Sequence, residues 1–226
     1  MRPLLFVPFA LAFAACDSAA RPVPAVVTST SAEVRSGELF PLVPGATWTY
    51  EGEADGQSLR EEVIVLKPIV WKGLVDAVAI VPRLERRFFD GELEELTTEW
   101  FREAPDGGIW QYGEETWALD DGSFVRGPDS WFAGEDGALP VQVLPALARA
   151  GEAFTLQLPR GTEQLLVRDI DTSAETPAGL FTQCTEVVEN EDTPDEDIVL
   201  YAPGQGIVSR TSRTSRSVLV RSQPPR

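Results

Sequence analysis

The chain reads as an all-β, mainly antiparallel domain: a curved sheet, half-barrel or sandwich of about ten strands with at most one or two short helices. Three observations predict it. Short segments rich in Val, Ile, Thr and aromatic residues recur along the chain, tight-turn pairs such as Asp-Gly separate them, and Pro interrupts the one stretch that could hold a helix.

Taken in order, strands are expected over Thr47–Glu51, Glu61–Leu66, Leu74–Arg87 and Glu92–Glu103. Asp90-Gly91 joins the last two, and Pro105-Asp106-Gly107-Gly108 leads into a strand at Ile109–Gly113, so consecutive strands should pair antiparallel. Along 96–102, Leu96, Thr98 and Trp100 alternate with Thr97, Glu99 and Phe101, which predicts apolar contacts on both faces of the sheet. The second half repeats this pattern at Ala153–Leu158, Gln164–Asp171, Phe181–Glu189, Ile198–Ala202, Gly206–Ser212 and Ser217–Ser222. Only Val141–Ala150 offers a helix, confined by Pro140 and Pro145 to a turn or two. The acidic run from Glu189 to Asp197 reads as a polar loop between strands.

Ahead of all this lies an apolar run from Leu4 to Ala15, led by Arg2 and closed by Phe13-Ala14-Ala15-Cys16-Asp17. A bilayer crossing needs about 20 apolar residues, so this run is too short to span and reads as a secretory leader over residues 1–15. Ala12-Phe13-Ala14 would also suit cleavage without lipid, which leaves plain secretion or a periplasmic location as the alternative. The residues before Cys16 resemble the lipobox of bacterial lipoproteins, except that Phe13 stands where Leu is usual. That resemblance implies a diacylglycerol thioether on Cys16 and a membrane held through its acyl chains, each buried methylene contributing about 0.8 kcal/mol. Asp17 resembles the residue that retains lipoproteins in the inner membrane of enteric bacteria. Residues 16–38, poor in large apolar side chains, read as a flexible tether reaching about 25 Å on average, with a single β-rich domain over 39–226.

The chain carries 36 Asp and Glu against 19 Lys and Arg, a formal charge of −17. Such a field disfavours nucleic acid and anionic headgroups as partners, and its simplest origin is a solvated acidic surface. The expected state is a monomer. With Cys16 lipidated, Cys184 has no partner for a disulfide and reads as a small buried hydrophobe rather than a nucleophile.

Further along, Phe40-Pro41-Leu42-Val43-Pro44-Gly45-Ala46-Thr47-Trp48-Thr49-Tyr50 resembles the Phe-Pro-Leu-x-x-Gly-x-x-Trp-x-Tyr opening of a set of uncharacterised exported bacterial proteins, many of them lipoproteins. The blocks at 110–114, 131–137, Pro177-Ala178-Gly179-Leu180-Phe181 and Tyr201-Ala202-Pro203-Gly204-Gln205-Gly206 are similar to segments that recur in that set in this order. The resemblance implies an envelope location and brings no reaction with it. The blocks also have an architectural reading: Trp48 and Tyr50 share a strand face, and Pro-Gly pairs make turns.

The chain has no histidine, which excludes Ser-His-Asp and Cys-His catalysis and histidine-ligated metals. One cysteine in the domain excludes Cys₄ sites and Cys-x-x-Cys redox pairs, and no phosphate-loop spacing occurs. Asp192, Asp195, Glu196 and Asp197 lack the alternation and glycine of a calcium loop, although oxygen ligands are present. No catalytic, cofactor-binding or metal residue is singled out, and Cys16 is the one modification site. Most of the six tryptophans should be core, the alternative being an apolar or sugar-stacking concavity. Function is therefore expected to be non-enzymatic: a binding domain for an apolar ligand or envelope protein, or a structural one. The alternative is a carboxylate-dependent enzyme acting on envelope polysaccharide.

Overall fold

The computed structural model describes residues 33–73, 76–159 and 161–224, and Cys16 and its leader lie outside them. The described chain contains β1 (Glu33–Arg35), one helical turn α1 (Ser36–Leu39), β2 (Thr47–Ala54), β3 (Gln57–Val65), β4 (Ile69–Trp71), β5 (Val78–Phe89), β6 (Glu92–Glu103), β7 (Ile109–Asp120) and β8 (Ser123–Arg126). There follow β9 (Trp131–Phe132), β10 (Val141–Leu144), β11 (Leu147–Arg149), β12 (Ala153–Leu158), β13 (Gly161–Thr176), β14 (Gly179–Glu189), β15 (Asp197–Ala202), β16 (Gly206–Ser212) and β17 (Ser215–Gln223).

The antiparallel all-β expectation holds. A 15-stranded sheet runs in the order β10-β7-β6-β5-β3-β2-β17-β16-β15-β14-β13-β12, with β4 beside β5 and β8 and β9 beside β7. It does not close into a barrel. Its hairpins are made by the turn chemistry that positive φ demands: Asp55-Gly56, Asp90-Gly91 and Asp121-Gly122 each join two strands with both residues in the left-handed region. Through Asp55-Gly56 and Asp121-Gly122, β3 starts earlier than the sequence expectation, at Gln57, β7 runs on to Asp120, and β8 follows as an additional strand.

Two further expectations are corrected. Val141–Ala150 forms no helix; Val141–Leu144 pairs with β7 and Leu147–Arg149 with β1, the two strands being separated at Pro145, which can neither donate to a ladder nor continue a helix. Residues 33–38, expected to be the end of the tether, are folded: β1 pairs with β11, and Ser36 is fully buried, as is Leu39 at the expected start of the domain. Composition hid this, because two inward side chains are enough to fix a short segment against a ready core. The strand expected over Leu74–Arg87 is β5, which begins at Val78, and the unexpected β4 pairs with its first three residues.

The main core gathers Leu39, Trp48, Tyr50, Val63, Val65, Val167, Val187, Val199, Val208 and Leu219. Here the sequence blocks at 40–50 and 201–206 meet. Trp48 Nε1 donates to Gln205 O at 2.7 Å and Tyr50 Oη to Ile207 O at 3.1 Å, so two side chains of β2 reach across β17 to the carbonyls at the start of β16. Pro41 lies against Gly206, where a Cβ would come within 3.3 Å of its ring, and Gly206 also holds φ 84°. Cys184 is fully buried, and burial pushes its thiol up to about 11, so it is an inert part of the core.

On the opposite face of β5–β7, Ile80, Tyr112 and Ala133 form a second cluster with Trp71, Trp100, Trp110 and Trp131 packed around it. Trp71 Nε1 donates to Ala133 O at 3.1 Å, and Gly134 approaches Gly73 so closely that a Cβ would stand 1.7 Å from its carbonyl oxygen.

Replacing Tyr50 by Phe removes its hydrogen bond to the Ile207 carbonyl in the core. The variant is expected to be less stable by about 1 kcal/mol, read as a lower urea midpoint at unchanged m-value.

Candidate functional site

The inner face of the sheet is where the sequence pattern and the tertiary structure part company, because a row of charges crosses it. Register places Val65, Arg83, Glu99 and Glu114 side by side on β3, β5, β6 and β7. The next row is Val63, Glu85, Thr97 and Thr116, with the two threonine hydroxyls 3.1 Å apart, and the third is Glu61, Arg87 and Glu95. Cross-strand neighbours on one face stand about 5 Å apart at Cβ, so opposite charges in these rows attract and like charges repel.

Strict alternation would send Gln111 and Glu114 to opposite faces. A bulge in β7 intervenes: Trp100 pairs with Gly113 and Phe101 with Gln111, so the extra residue turns Glu114 inward, where Gln111 Nε2 donates to its Oε2 at 3.3 Å. A second bulge does the same in β16. Leu200 pairs with Ser209 and Tyr201 with Ile207, leaving Val208 as the extra residue and bringing Ile207 and Arg210 to one face.

These groups line a cavity of about 180 Å³ inside the curve of the sheet. Its lining combines apolar side chains, Phe40, Phe101, Val143, Leu156, Leu158 and Leu165, with the charged or ionisable Arg83, Arg210, Glu99, Glu114, Glu163 and Glu189. Glu114, Leu158 and Glu163 also border an outer groove of about 340 Å³ with Asp129, Trp131, Pro159 and Thr162, so the two spaces adjoin at those three residues.

The two arginines are held by carboxylates. Arg83 lies 3.5 Å from Glu99, 3.6 Å from Glu85 and over the Phe40 ring at 5.3 Å. Arg210 lies 3.4 Å from Asp197 and keeps 36% of its side chain open, on the cavity side. Burial opposes both charges, but Glu99 and Glu85 for Arg83, and Glu189, Glu85, Tyr201 and Asp197 for Arg210, outweigh it and raise both pKa values.

The carboxyls are too many for the cations present. Burial raises Glu99 to about 7 in spite of Arg83, with Glu85 and Glu114 adding to the rise. Burial likewise raises Glu114, Glu163, Glu189, Asp197 and Glu61 above the usual carboxylate range. The site therefore holds protons where exposed carboxylates would have lost them.

The acidic run singled out in sequence is dispersed. Asp197 faces Arg210, the Asp192 backbone N–H donates to Glu196 Oε2 at 2.9 Å, and no metal-holding group of three occurs among the described residues. No tryptophan lines the inner cavity; Trp131 borders the outer groove, and Trp117 is 38% exposed on β7. The site residues Arg83, Glu99, Glu114, Glu163, Glu189 and Arg210 went unselected in sequence. One signal existed, since Arg83, Glu85 and Arg87 alternate within an apolar strand, but nothing local says that this face is concave.

No family model and no curated protein sequence matches the chain. Two solved structures are similar to it. One is of a protein described as exported, with a YmcC-like fold, from Bacteroides fragilis: 15% identical, covering 82% of this chain and 99% of that one, with a TM-score of 0.38. The other is of a protein described as a lipoprotein, from Parabacteroides distasonis: 12% identical, covering 82% of this chain and 98% of that one, with a TM-score of 0.40.

Glu99 keeps its proton in the fold above the pH at which it loses it in the unfolded chain, so folding takes up a proton between about pH 4.5 and 7. Stability should fall as pH rises through that window, by about 3–4 kcal/mol for this group at roughly 1.4 kcal/mol per pKa unit. Thermal or urea unfolding against pH checks this, and Glu99→Gln is expected to flatten the slope.

Proposed function

We propose that this chain is a lipid-anchored protein of the bacterial cell envelope whose open half-barrel is a non-enzymatic binding domain. The anchor rests on the leader and on Cys16, which stands directly behind Phe13-Ala14-Ala15. The binding reading rests on one observation, the inner cavity adjoining the outer groove at Glu114, Leu158 and Glu163. A lining that mixes leucines with ionisable groups suits a small amphipathic molecule, its hydrocarbon part against Leu156, Leu158 and Leu165 and its polar part toward Arg210 and the carboxyls. This refines the apolar ligand expected from composition. Desolvating these charges without partners would be costly, so a purely hydrocarbon ligand is a poor fit.

Mass spectrometry of the protein extracted from envelopes tests both halves. The expected terminus is a diacylglyceryl-modified Cys16, absent in Cys16→Ser. Under native conditions the wild type should carry a small-molecule adduct that Leu158→Trp, which narrows the junction of the two spaces, loses. An unmodified terminus at Ala15 would defeat the anchor, and an adduct unchanged in Leu158→Trp would defeat the cavity.

A second reading is favoured by one feature. Glu99 and Glu114 are direct cross-strand partners on the cavity wall, and Glu99 stays protonated to about pH 7, as the general acid of glycoside hydrolysis must. If the chain is a hydrolase, release of reducing ends from peptidoglycan fragments should fall by about 100-fold or more in Glu99→Gln. No release by the wild type removes this reading.

A further inference from the structure

The outer face of β5–β7 is covered at one end and open at the other. Trp100 points outward from β6, with Trp71 at 6.0 Å and Phe132 at 5.1 Å between ring centroids. Nearer the Asp-Gly turns the same face is open: Trp117 is 38%, Leu119 39% and Phe124 38% exposed.

Register lays the side chains of this open part in rows. Glu62, Arg86, Leu96, Trp117 and Arg126 stand opposite one another on β3, β5, β6, β7 and β8. One step nearer the turns come Arg60, Phe88 and Leu93, then Leu119 and Phe124, with Leu93 and Leu119 both just beyond the pair Glu95–Ala118. The Arg60 guanidinium lies over the Phe88 ring at 4.9 Å, and Arg126 Nε donates to Glu115 Oε1 at 2.9 Å, so these groups share the face opposite the cavity. Here the acid surplus of the chain is absent. Arg60, Arg86 and Arg126 stand against Glu62, Glu115 and the bulge residue Glu94, whereas the whole chain has a formal charge of −17. A surface of that overall charge repels a second copy of itself, and a balanced face does not.

The rows are also self-complementary. Since β6 is the middle of the five strands, a two-fold axis along it lays β8 over β3, and β7 over β5, of a second copy. Leu96 then meets Leu96, Trp117 meets Arg86, and Arg126 meets Glu62. In the next row Leu93 meets Leu93, Phe88 meets Leu119, and Arg60 meets Phe124. Each meeting in these two rows joins apolar groups, a cation and an aromatic ring, or a cation and a carboxylate, and the unlike pairs occur twice by symmetry. Toward the covered end, Thr98 meets itself and Glu115 borders Leu84. Five strands about 4.8 Å apart and three rows about 7 Å apart give roughly 500 Å² per copy, so the pair reaches about 1,000 Å², where specific but reversible interfaces begin.

We propose that this outer face is the interface of a reversible homodimer, in which two copies pack β3 and β5–β8 face to face about a two-fold axis along β6. It replaces the monomer expected from sequence. The inner cavity lies on the opposite face of each sheet and stays uncovered, so the dimer stands apart from the ligand reading.

Crosslinking tests it, on the full chain purified in a mild non-ionic detergent with micelles in excess. Position 96 lies on the axis, so a short bismaleimide should join Leu96→Cys to itself about tenfold more than Leu180→Cys, a more exposed position on β14. The wild type, with Cys184 fully buried, gives the background. Adding Glu62→Arg or Arg126→Glu to Leu96→Cys opposes like charges at two places and should lower the yield about tenfold. Mixing those two variant proteins should restore it, since the two substitutions then face each other at one place while the native pair stands at the other. A yield at background, equal yields at 96 and 180, or no recovery on mixing overturns the dimer. If Leu96→Cys itself loosens the packing, Thr98→Cys on the same strand serves, with the same outcomes expected and the same ones overturning the proposal.

Discussion

An antiparallel sheet that curls but does not close is the constraint from which the other features follow. Twelve strands in one continuous ladder bring β10 and β12 near each other, yet only side chains span the interval. A closed barrel would satisfy both edges with hydrogen bonds and fix its interior volume. Here the interior is set by whatever side chains the two halves present, and apolar groups fill only part of it. The remainder is the cavity with its row of charges.

That interior is stabilised by different means on its two sides. Around Trp48 and Tyr50, ordinary burial is reinforced by two side-chain bonds to the carbonyls of Gln205 and Ile207, so the first strand of the sheet's centre and the turn into β16 hold each other. Around Arg83 and Arg210 the packing is ionic. Burying such pairs returns little net stability, since desolvation offsets most of the Coulomb attraction. A fold that keeps more carboxyls than cations on a half-buried face gives up stability as pH rises. The same surplus gives the cavity its capacity to hold protons.

Several parts of this could be read without coordinates. Asp90-Gly91 announces a hairpin because a two-residue connection needs positive φ, and Asp55-Gly56 and Asp121-Gly122 carry the same signal, although it was not used. The alternation around Trp100 and Phe101 correctly assigns them to opposite faces, and the structure places them in separate clusters. The stretch after Pro145 was misread because a short apolar run has no period of its own; pairing with β1 decided that it is a strand. The segment 33–38 looks like tether in sequence because its few apolar residues become informative only once a core exists to receive them.

By itself, then, the sequence determined the class of the fold, the turns and the exclusion of histidine-based chemistry, because these depend on backbone preference and residue inventory, which are local. The composition of the cavity was a tertiary decision. Glu114 and Arg210 point inward only because bulges at Tyr112 and Val208 shift the phase of their strands by one residue, and a bulge is set by the register with the partner strand. Which carboxyls keep their protons was likewise settled there, since burial and the distance to Arg83 or Arg210 exist only after the sheet has curled.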